Sequence, residues 1–215
     1  MQLKQVKGYT YIEGGVCAAA GFAANGCNCG LNPDKEKNDL GMIYSERICN
    51  AAAVYTTNKV KGAPIIITQK NLKAAGGKAR AVIVNSKNAN TCNADGEKKA
   101  WKMCELAAQQ LQIKPEEVIV ASTGVIGQVL PMEPIAEHIA QLAEGLSPDN
   151  HDKAANAIMT TDTVKKEVAV SFEMNQKVCH LGGMAKGSGM IHPNMATTLN
   201  FITTDAAVSS GMLQK

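Results

Sequence analysis

Three short apolar runs, each rich in β-branched residues, set the strongest limit on how this chain folds. They occupy residues 63–68 (Ala-Pro-Ile-Ile-Ile-Thr), 79–85 (Ala-Arg-Ala-Val-Ile-Val-Asn) and 118–123 (Val-Ile-Val-Ala-Ser-Thr). A short, continuous apolar run bounded by turn-forming residues is typical of a strand that is buried on both faces. We therefore predict three buried strands.

Three amphipathic helices are predicted between and after these runs. The first follows Asp95, its expected N-cap, and its apolar face consists of Trp101, Cys104, Ala108 and Leu111. The second is predicted over residues 132–144, and its apolar face consists of Ile135, Ile139 and Leu142. The third begins at Ser147-Pro148, an N-cap and N1 signature, and carries Ala154, Ala155 and Ile158.

Further strands are predicted toward the end of the chain. Residues 164–174 alternate in polarity, which predicts a strand with one wetter face. The drier side of this strand is expected to carry Val168, Val170 and Phe172. Residues 178–181 are its expected neighbour, and residues 198–204 form another strand-like run. This mixture of strands and helices predicts a layered α/β or α+β architecture.

Composition and charge exclude several classes of protein. The chain has 215 residues, of which 45% are hydrophobic and 19% charged, as in a globular protein. Its net charge is only +3 and its basic residues are scattered, which argues against a nucleic-acid surface. Residues 1–10 lack the apolar core of a signal peptide, and no apolar run is long enough to span a bilayer. We expect a cytoplasmic protein without a membrane or nucleic-acid partner.

The cysteines do not form a pattern that indicates disulfides or a metal site. Their number is odd, their spacing is scattered and no Cys-x-x-Cys pair occurs. We expect reduced, mostly buried thiols and no bound metal. The seven are Cys17, Cys27, Cys29, Cys49, Cys92, Cys104 and Cys179.

A glycine-rich turn near the end of the chain leads into a candidate nucleophile. Residues 186–189 (Lys-Gly-Ser-Gly) are followed by Pro193, the small-residue junction Ala196-Thr197 and the last strand-like run. If the bond between Ala196 and Thr197 breaks, Thr197 carries both a hydroxyl and a free amine, which is an activated nucleophile. An ordinary turn between strands is the alternative for this segment.

A second turn offers candidate groups for stabilising negative charge. Ser122-Thr-Gly-Val-Ile-Gly127 follows a predicted strand directly, where backbone N–H groups become available to an anion. The hydroxyl of Thr123 and the N–H of Gly124 are able to form an oxyanion hole. A purely structural turn is the alternative.

Six segments together resemble one known family. In chain order they are Val54-Tyr-Thr-Thr-Asn58, Val84-Asn-Ser-Lys-Asn-Ala-Asn90, Ser122-Thr-Gly-Val-Ile-Gly127, Ala157-Ile-Met-Thr-Thr-Asp-Thr163, Lys186-Gly-Ser-Gly-Met-Ile-His-Pro-Asn-Met-Ala-Thr197 and Thr203-Thr-Asp-Ala-Ala207. They resemble the motifs of the ornithine acetyltransferases of arginine biosynthesis, the bifunctional glutamate N-acetyltransferases. The resemblance covers nearly the whole chain.

The resemblance implies a fold and a division of the chain. The fold is a layered α-β-β-α-like sandwich, and the proenzyme cuts itself between Ala196 and Thr197. Residues 1–196 would be the first segment, and residues 197–215 would open the second. Family chains continue well past residue 215, so we expect this chain to form an incomplete domain.

The resemblance also implies roles for individual residues. Thr197 would be the nucleophile, and Thr123 with Gly124 would form the oxyanion hole. Thr160, Lys186 and Thr197 itself would bind substrate. For Lys186, a cation facing an amino-acid carboxylate, the alternative is a solvated surface lysine.

The implied reaction moves an acetyl group from N-acetylornithine to glutamate through an acetyl-threonine enzyme. No cofactor is expected, and acetyl-coenzyme A is a second candidate donor. The expected partners are the second segment of the same proenzyme and further copies in a hetero-oligomer of processed segments. Two alternatives remain: a related N-terminal-nucleophile aminopeptidase or amidase, and an inactive half that needs its partner segment.

Overall fold

Two sheets of four strands each form the framework of the protein. The structure is a computed structural model that describes residues 7–187 and 198–215. Its strands are β1 (Tyr9–Ile12), β2 (Phe22–Cys27), β3 (Leu40–Asn50), β4 (Lys78–Asn85), β5 (Val118–Ser122), β6 (Lys166–Met174), β7 (Lys177–Lys186) and β8 (Leu199–Thr204). Sheet A has the order β1-β6-β7-β8 and sheet B the order β2-β3-β4-β5. All pairings are antiparallel except that of β4 with β5.

Three of the helices cover one face of sheet B, and a fourth lies on the other face. The helices are α1 (Ala63–Ala74), α2 (Gly96–Leu111), α3 (Glu133–Glu144), α4 (His151–Ala157) and α5 (Ser210–Leu213). One apolar core joins α1, α2 and α3 to sheet B. A second core joins the opposite face of sheet B to α4 and to strands β7 and β8 of sheet A. The predicted layered α/β architecture is therefore confirmed.

Strand β4 shows why sheet B needs a layer on each side. Ala81 and Ile83 belong to the core beneath the helices, while Val84, with Val82 packed beside it, belongs to the core between the sheets. Side chains alternate across a strand, so a strand with two buried faces is apolar at nearly every position. The predictions of strands at residues 79–85 and 118–123 are confirmed by β4 and β5.

The prediction of a strand at residues 63–68 is wrong, because this run begins helix α1. Pro64 lies in the first turn of the helix, where its missing N–H costs nothing and its fixed φ suits the helix. Ile67, Thr68 and Asn71 then point inward at helical spacing. A short apolar run occurs both in buried strands and in buried helices, so the run alone does not distinguish them. Here the polar residues that follow the run indicate a helix.

The three predicted helices are present, with a difference at their caps. The expected inward residues of α3 and α4 are buried. Asp95 precedes α2, but its carboxylate pairs with Lys99 at 2.9 Å and makes no capping bond. Ser147 does cap, because its Oγ accepts from the N–H of Asp149 at 3.2 Å. That cap opens a short 3-10 turn, Pro148–Asn150, which leads into α4.

Strands β6, β7 and β8 confirm the strands predicted late in the chain, but the expected drier side of β6 is wrong. Ala169 is 3% exposed and Val168 is 40% exposed, so the side with Glu167 and Ala169 faces the core. Glu167 is stabilised there because its carboxylate pairs with His151 at 2.6 Å and Lys165 at 3.0 Å. The opposite side, which we call the outer face of sheet A, carries Val168, Val170, Phe172, Leu181 and Ile202.

All seven cysteines are free thiols, as predicted. Burial, reinforced by the carboxylates of Glu167 and Asp149, raises the pKa of Cys17 to about 12. Within residues 7–187 and 198–215, no group of His, Cys, Asp and Glu side chains is arranged to hold a metal ion. Across the same residues, no helix has both the length and the apolar character needed to cross a membrane.

Neighbouring glycines on β7 predict opposite responses to the same substitution. A Cβ at Gly182 would overlap the carbonyl oxygen of Gly15, whereas a Cβ at Gly183 would meet only the Phe201 oxygen at 3.4 Å and Ile202 Cγ1 at 3.7 Å. We expect Gly182→Ala to lower the free energy of unfolding by about 1–3 kcal/mol or more. Gly183→Ala should be neutral or slightly stabilising. Urea denaturation measures both, and equal losses would contradict the packing of β7 on residues 14–17.

Candidate functional site

The two sheets meet at a hydrogen bond between residues that are far apart in the sequence. Lys186 Nζ donates to Thr123 Oγ1 at 3.0 Å. Lys186 is the last residue of β7 in sheet A, and Thr123 directly follows β5 in sheet B. Both residues are buried, with 5% and 7% of their surface exposed. The structure therefore brings together two of the residues that the sequence predicted for the site.

The predicted cleavage point lies between the end of β7 and the start of β8 in the sequence. Ala196 and Thr197 lie outside the described residues, so their predicted roles stay predictions. The positions on either side are described: Lys186 is paired in register with Leu199, the first residue of β8. Both ends of the connection are therefore fixed on adjacent strands, and the Lys186 end contacts Thr123.

The ammonium of Lys186 has an unusual environment for a lysine. Burial lowers its pKa below the ordinary 10.5, the nearby Asp162 carboxylate opposes this fall, and the Lys166 ammonium adds to it. Burying a cation costs desolvation free energy unless a neighbouring anion or a bound ligand compensates for it. The alternative prediction of a solvated surface lysine is therefore wrong.

Asp162 connects Lys186 to the predicted substrate residue Thr160. Its side chain is only 3% exposed and accepts from Lys166 Nζ at 2.6 Å. It also accepts from the N–H of Gly187 at 2.8 Å and from that of Thr160 at 3.5 Å. Burial opposes ionisation of Asp162, but these hydrogen bonds outweigh it, so the pKa of its carboxyl lies below the ordinary value. Thr160 is thereby held beside the end of β7.

No role was predicted for Asp162, although it lies inside the family-like segment Ala157–Thr163. The signal available in the sequence was its position two residues after Thr160 in Thr-Thr-Asp-Thr. Short polar residues at this spacing commonly bond to nearby backbone N–H groups. The second contact, with Gly187, joins loops 25 residues apart and has no local signal.

Gly124 is held against a loop that follows strand β4. Its φ of 133° lies in a region that other residues rarely adopt, and a Cβ there would overlap the peptide group between Lys87 and Asn88. The N–H of Thr123 donates to Asn85 O at 3.0 Å. The predicted oxyanion pair, Thr123 and Gly124, is therefore shaped by residues 85–88, which sequence reasoning did not assign to the site.

These groups give the site a clear chemical character. Lys186, a buried cation, precedes the connection at residues 188–197, and the buried Thr123 hydroxyl accepts a hydrogen bond from it. Gly124, which follows Thr123, is exposed and lies in a backbone turn that only glycine fits. Hydrogen-bond donors fixed in this way are suited to stabilising an oxyanion or a carboxylate. The arrangement therefore suits acyl chemistry on a small anionic substrate.

Comparison with known proteins gives a consistent result. A family model described as the ArgJ family matches residues 23–215. The chain is 46% identical to arginine biosynthesis bifunctional protein ArgJ of Caldanaerobacter subterraneus subsp. tengcongensis over 205 residues, which are 95% of this chain and 50% of that protein. The protein of the same name from Synechocystis sp. is also 46% identical over 205 residues, which are 95% of this chain and 49% of that protein. The chain spans about half the length of the curated relatives it matches.

Solved structures of similar proteins share the fold. The crystal structure of arginine biosynthesis bifunctional protein ArgJ from Bacillus halodurans superposes with a TM-score of 0.80 at 42% identity, covering 87% of this chain and 98% of that chain. Ornithine acetyltransferase from Mycobacterium tuberculosis, complexed with ornithine, superposes with a TM-score of 0.77 at 36% identity. That match covers 86% of this chain and 98% of the other.

The buried carboxylate of Asp162 predicts a pH-dependent effect on stability. Because its folded-state pKa is lowered, its contribution is present above the unfolded pKa of about 3.9 and is lost as the pH falls through the folded value. We expect Asp162→Asn to lower the free energy of unfolding at pH 7 by about 1–3 kcal/mol. The difference from the unsubstituted chain should shrink progressively below about pH 4.

Glu97→Gln is the matched control for this experiment. Glu97 also pairs with a lysine, Lys70, at 2.7 Å, but both side chains are at least half exposed. Exposed ion pairs contribute little to stability, so this variant should unfold almost like the parent at every pH. Denaturant titrations from pH 3 to 7 measure both variants, and an Asp162 effect as small as that of Glu97 would contradict its buried role.

Proposed function

The chain belongs to the ArgJ family, and from this premise we propose that it supplies most of the site of an acetyl transferase. The proposed enzyme moves an acetyl group from N-acetylornithine to glutamate in arginine biosynthesis. The observation that carries the proposal is the 3.0 Å contact of Thr123 with Lys186, because Lys186 and its register partner Leu199 flank the connection that contains Thr197.

The first step is self-cleavage between Ala196 and Thr197. The Thr197 hydroxyl oxygen attacks the Ala196 carbonyl carbon, the peptide C–N bond breaks, and the hydroxyl proton passes to the released Thr197 nitrogen. Water then hydrolyses the resulting ester, which gives a carboxylate at Ala196 and restores the Thr197 hydroxyl. The pairing of Lys186 with Leu199 supports this step, because it anchors the backbone on both sides of the cleavage point.

The second stage uses the new amine as a base. The α-amino group of a chain has a pKa of about 7.7–8.0, which suits proton transfer near neutral pH. It takes the proton of the Thr197 hydroxyl as the oxygen attacks the acetyl carbonyl of N-acetylornithine. The tetrahedral intermediate collapses when the ornithine nitrogen takes up that proton and leaves. The glutamate amine then attacks the acetyl ester, forming N-acetylglutamate and freeing Thr197.

Thr123 and Gly124 stabilise the negative charge that develops on the carbonyl oxygen. The Thr123 hydroxyl has one proton to donate and two lone pairs that accept. Because the hydroxyl accepts from Lys186 Nζ, its own proton is left to point at the substrate oxygen. A donor of this kind contributes about 3–4 kcal/mol of transition-state stabilisation in enzymes where it has been removed.

Lys186 and Thr160 bind the amino-acid part of the substrate, together with Thr197. Burial lowers the pKa of the Lys186 ammonium, and the Asp162 carboxylate opposes this fall. An incoming α-carboxylate would place a further opposite charge near this buried cation. The similar ornithine acetyltransferase from Mycobacterium tuberculosis is complexed with ornithine, an amino acid with such a carboxylate.

A second segment completes the enzyme in this proposal. The outer face of sheet A exposes large apolar side chains, among them Val168 at 40% and Ile202 at 70%. Apolar surface of this kind marks a place where other protein packs. The second segment would cover it, and further copies would give a hetero-oligomer of processed segments. We propose a cytoplasmic enzyme without a cofactor or metal, with acetyl-coenzyme A as a second candidate donor.

Two other functions fit parts of the same site. An N-terminal-nucleophile aminopeptidase or amidase would use the same nucleophile and oxyanion hole, but with water in place of glutamate as the acceptor. The second alternative is that this chain alone is an inactive half, and the exposed outer face of sheet A favours it. Acetyl transfer remains our proposal because it is the reaction that the family resemblance implies.

Self-cleavage is tested by substituting adjacent threonines in the full-length enzyme. Thr197→Ala should remain one piece, because it has no hydroxyl to attack the Ala196 carbonyl, while Thr198→Ala should be cut normally. Intact-mass analysis distinguishes one chain from two, and the C-terminal product should begin at Thr197. A cleaved Thr197→Ala variant would rule out this nucleophile.

Substrate and segment requirements are tested together. With its second segment, the enzyme should transfer labelled acetate from N-acetylornithine to glutamate with ping-pong kinetics, and the label should be trapped on Thr197. Hydrolysis of amino-acid amides at a higher rate would favour the amidase instead. The present chain without the second segment should be inactive; full activity without it would contradict the need for a partner.

A further inference from the structure

Asn85 is a fully buried amide at the end of β4 that no step of the proposed reaction uses. Its exposed fraction is 0%. The Nδ2 group donates to the carbonyl oxygens of Ser86 at 3.1 Å and Asn88 at 2.9 Å. The Oδ1 atom accepts from Ser122 Oγ at 2.6 Å. A single side chain thus connects the loop after β4 to the residue that precedes Thr123.

These contacts close a loop that is strained. Lys87 has a φ of 74°, a left-handed conformation that a residue with a side chain adopts only when its surroundings impose it. The two hydrogen bonds from Asn85 Nδ2 reach the carbonyls on either side of Lys87, so they hold this conformation in place.

Gly124 packs directly against this strained loop. The peptide group between Lys87 and Asn88 occupies the space that a Cβ of Gly124 would need. Backbone bonds then lock the two loops together: Val125 N donates to Lys87 O at 3.0 Å, and Ala89 N donates to Val125 O at 2.9 Å. The direction of the Gly124 backbone is therefore set by the shape of residues 86–88.

We infer that Asn85 is a positioning residue for the oxyanion hole: it shapes the 86–88 loop, and that loop fixes Thr123 and Gly124 relative to the reacting carbonyl. Asn85 does not touch substrate. Its effect is on the alignment of two donors, and a displacement of about 1 Å in such a group is enough to reduce a rate by about 100-fold. This role rests on the proposed acetyl transfer and adds a residue to it.

Asn85→Asp is the substitution that separates positioning from packing. The side chain keeps its shape and its acceptor for Ser122 Oγ, but it loses both donors to the loop. Asn71→Asp is the matched control, because Asn71 is 2% exposed and donates to Val118 O at 2.9 Å, at the opposite end of β5. Both variants place a carboxylate against buried carbonyls, so both should lose stability.

In the full-length, processed enzyme we expect Asn85→Asp to lower kcat about 100-fold, with KM for N-acetylornithine changed less than about threefold. Asn71→Asp, assayed well below its unfolding temperature, should keep kcat within about twofold of the parent. Failure of Asn85→Asp to self-cleave while Asn71→Asp does would also support the inference. Equal kcat losses in the two variants, or no loss in Asn85→Asp, would overturn it.

Two further measurements keep the inference testable if a variant is unstable or the parent is inactive. Ser122→Ala removes only the hydroxyl that donates to Asn85 Oδ1, and it should lower kcat about tenfold; an unchanged kcat would count against the role. If the parent transfers no acetyl group, the proposed function fails. The positioning role is then judged by amide hydrogen exchange at Ala89 and Val125, which should accelerate in Asn85→Asp and not in Asn71→Asp. Unchanged exchange would overturn it.

Discussion

The fold depends on the fact that sheet B is apolar on both faces. Strand β4 contributes Ile83 to the core beneath the helices and Val84 to the core between the sheets. Neither face tolerates water, because exposing a large aliphatic side chain costs about 1.5–3 kcal/mol. Helices α1 to α3 cover one face, and sheet A with α4 covers the other. The candidate site lies where β5 ends in sheet B and β7 ends in sheet A, so it exists only because the two sheets are stacked.

The polar groups of the site are held by this apolar framework at a cost to stability. Burial lowers the pKa of the Lys186 ammonium, and Lys87 keeps a left-handed backbone that most residues avoid. Arrangements of this kind persist where the surroundings over-determine them, and they concentrate at functional places. The candidate site therefore combines an unfavourably buried charge with a strained loop next to the proposed oxyanion pair.

Local patterns predicted most of the fold, and the failures have identifiable causes. The runs at 79–85 and 118–123 are strands as predicted, since a strand buried on both faces has a distinctive composition. The run at 63–68 is helical because Pro64 and the polar residues after it favour a helix, which the apolar run alone does not reveal. The buried side of β6 was predicted wrongly because Glu167, whose carboxylate contacts His151 and pairs with Lys165, makes that side look polar.

The site was predicted unevenly for a related reason. Thr123, Thr160 and Lys186 were found through motifs, and the structure places them around the ends of β5 and β7. Asp162 and Asn85 were missed because the contacts that bring them to the site, with Gly187 and Ser122, join segments that are distant along the chain. Gly187 lies 25 residues from Asp162, and Ser122 lies 37 residues from Asn85. Local residue spacing does not predict contacts between residues that are so far apart in the sequence.

The register of Lys186 with Leu199 has a consequence for how the protein assembles. If the backbone is severed between Ala196 and Thr197, the ladder of β7 and β8 still joins the fragments, so the nicked molecule keeps its shape. Its refolding is a different matter. An intact precursor folds by a unimolecular process that does not depend on dilution, whereas two separated pieces must first encounter each other. Scission after folding would thus leave a molecule whose recovery from denaturation depends on protein concentration, although its native architecture is the same.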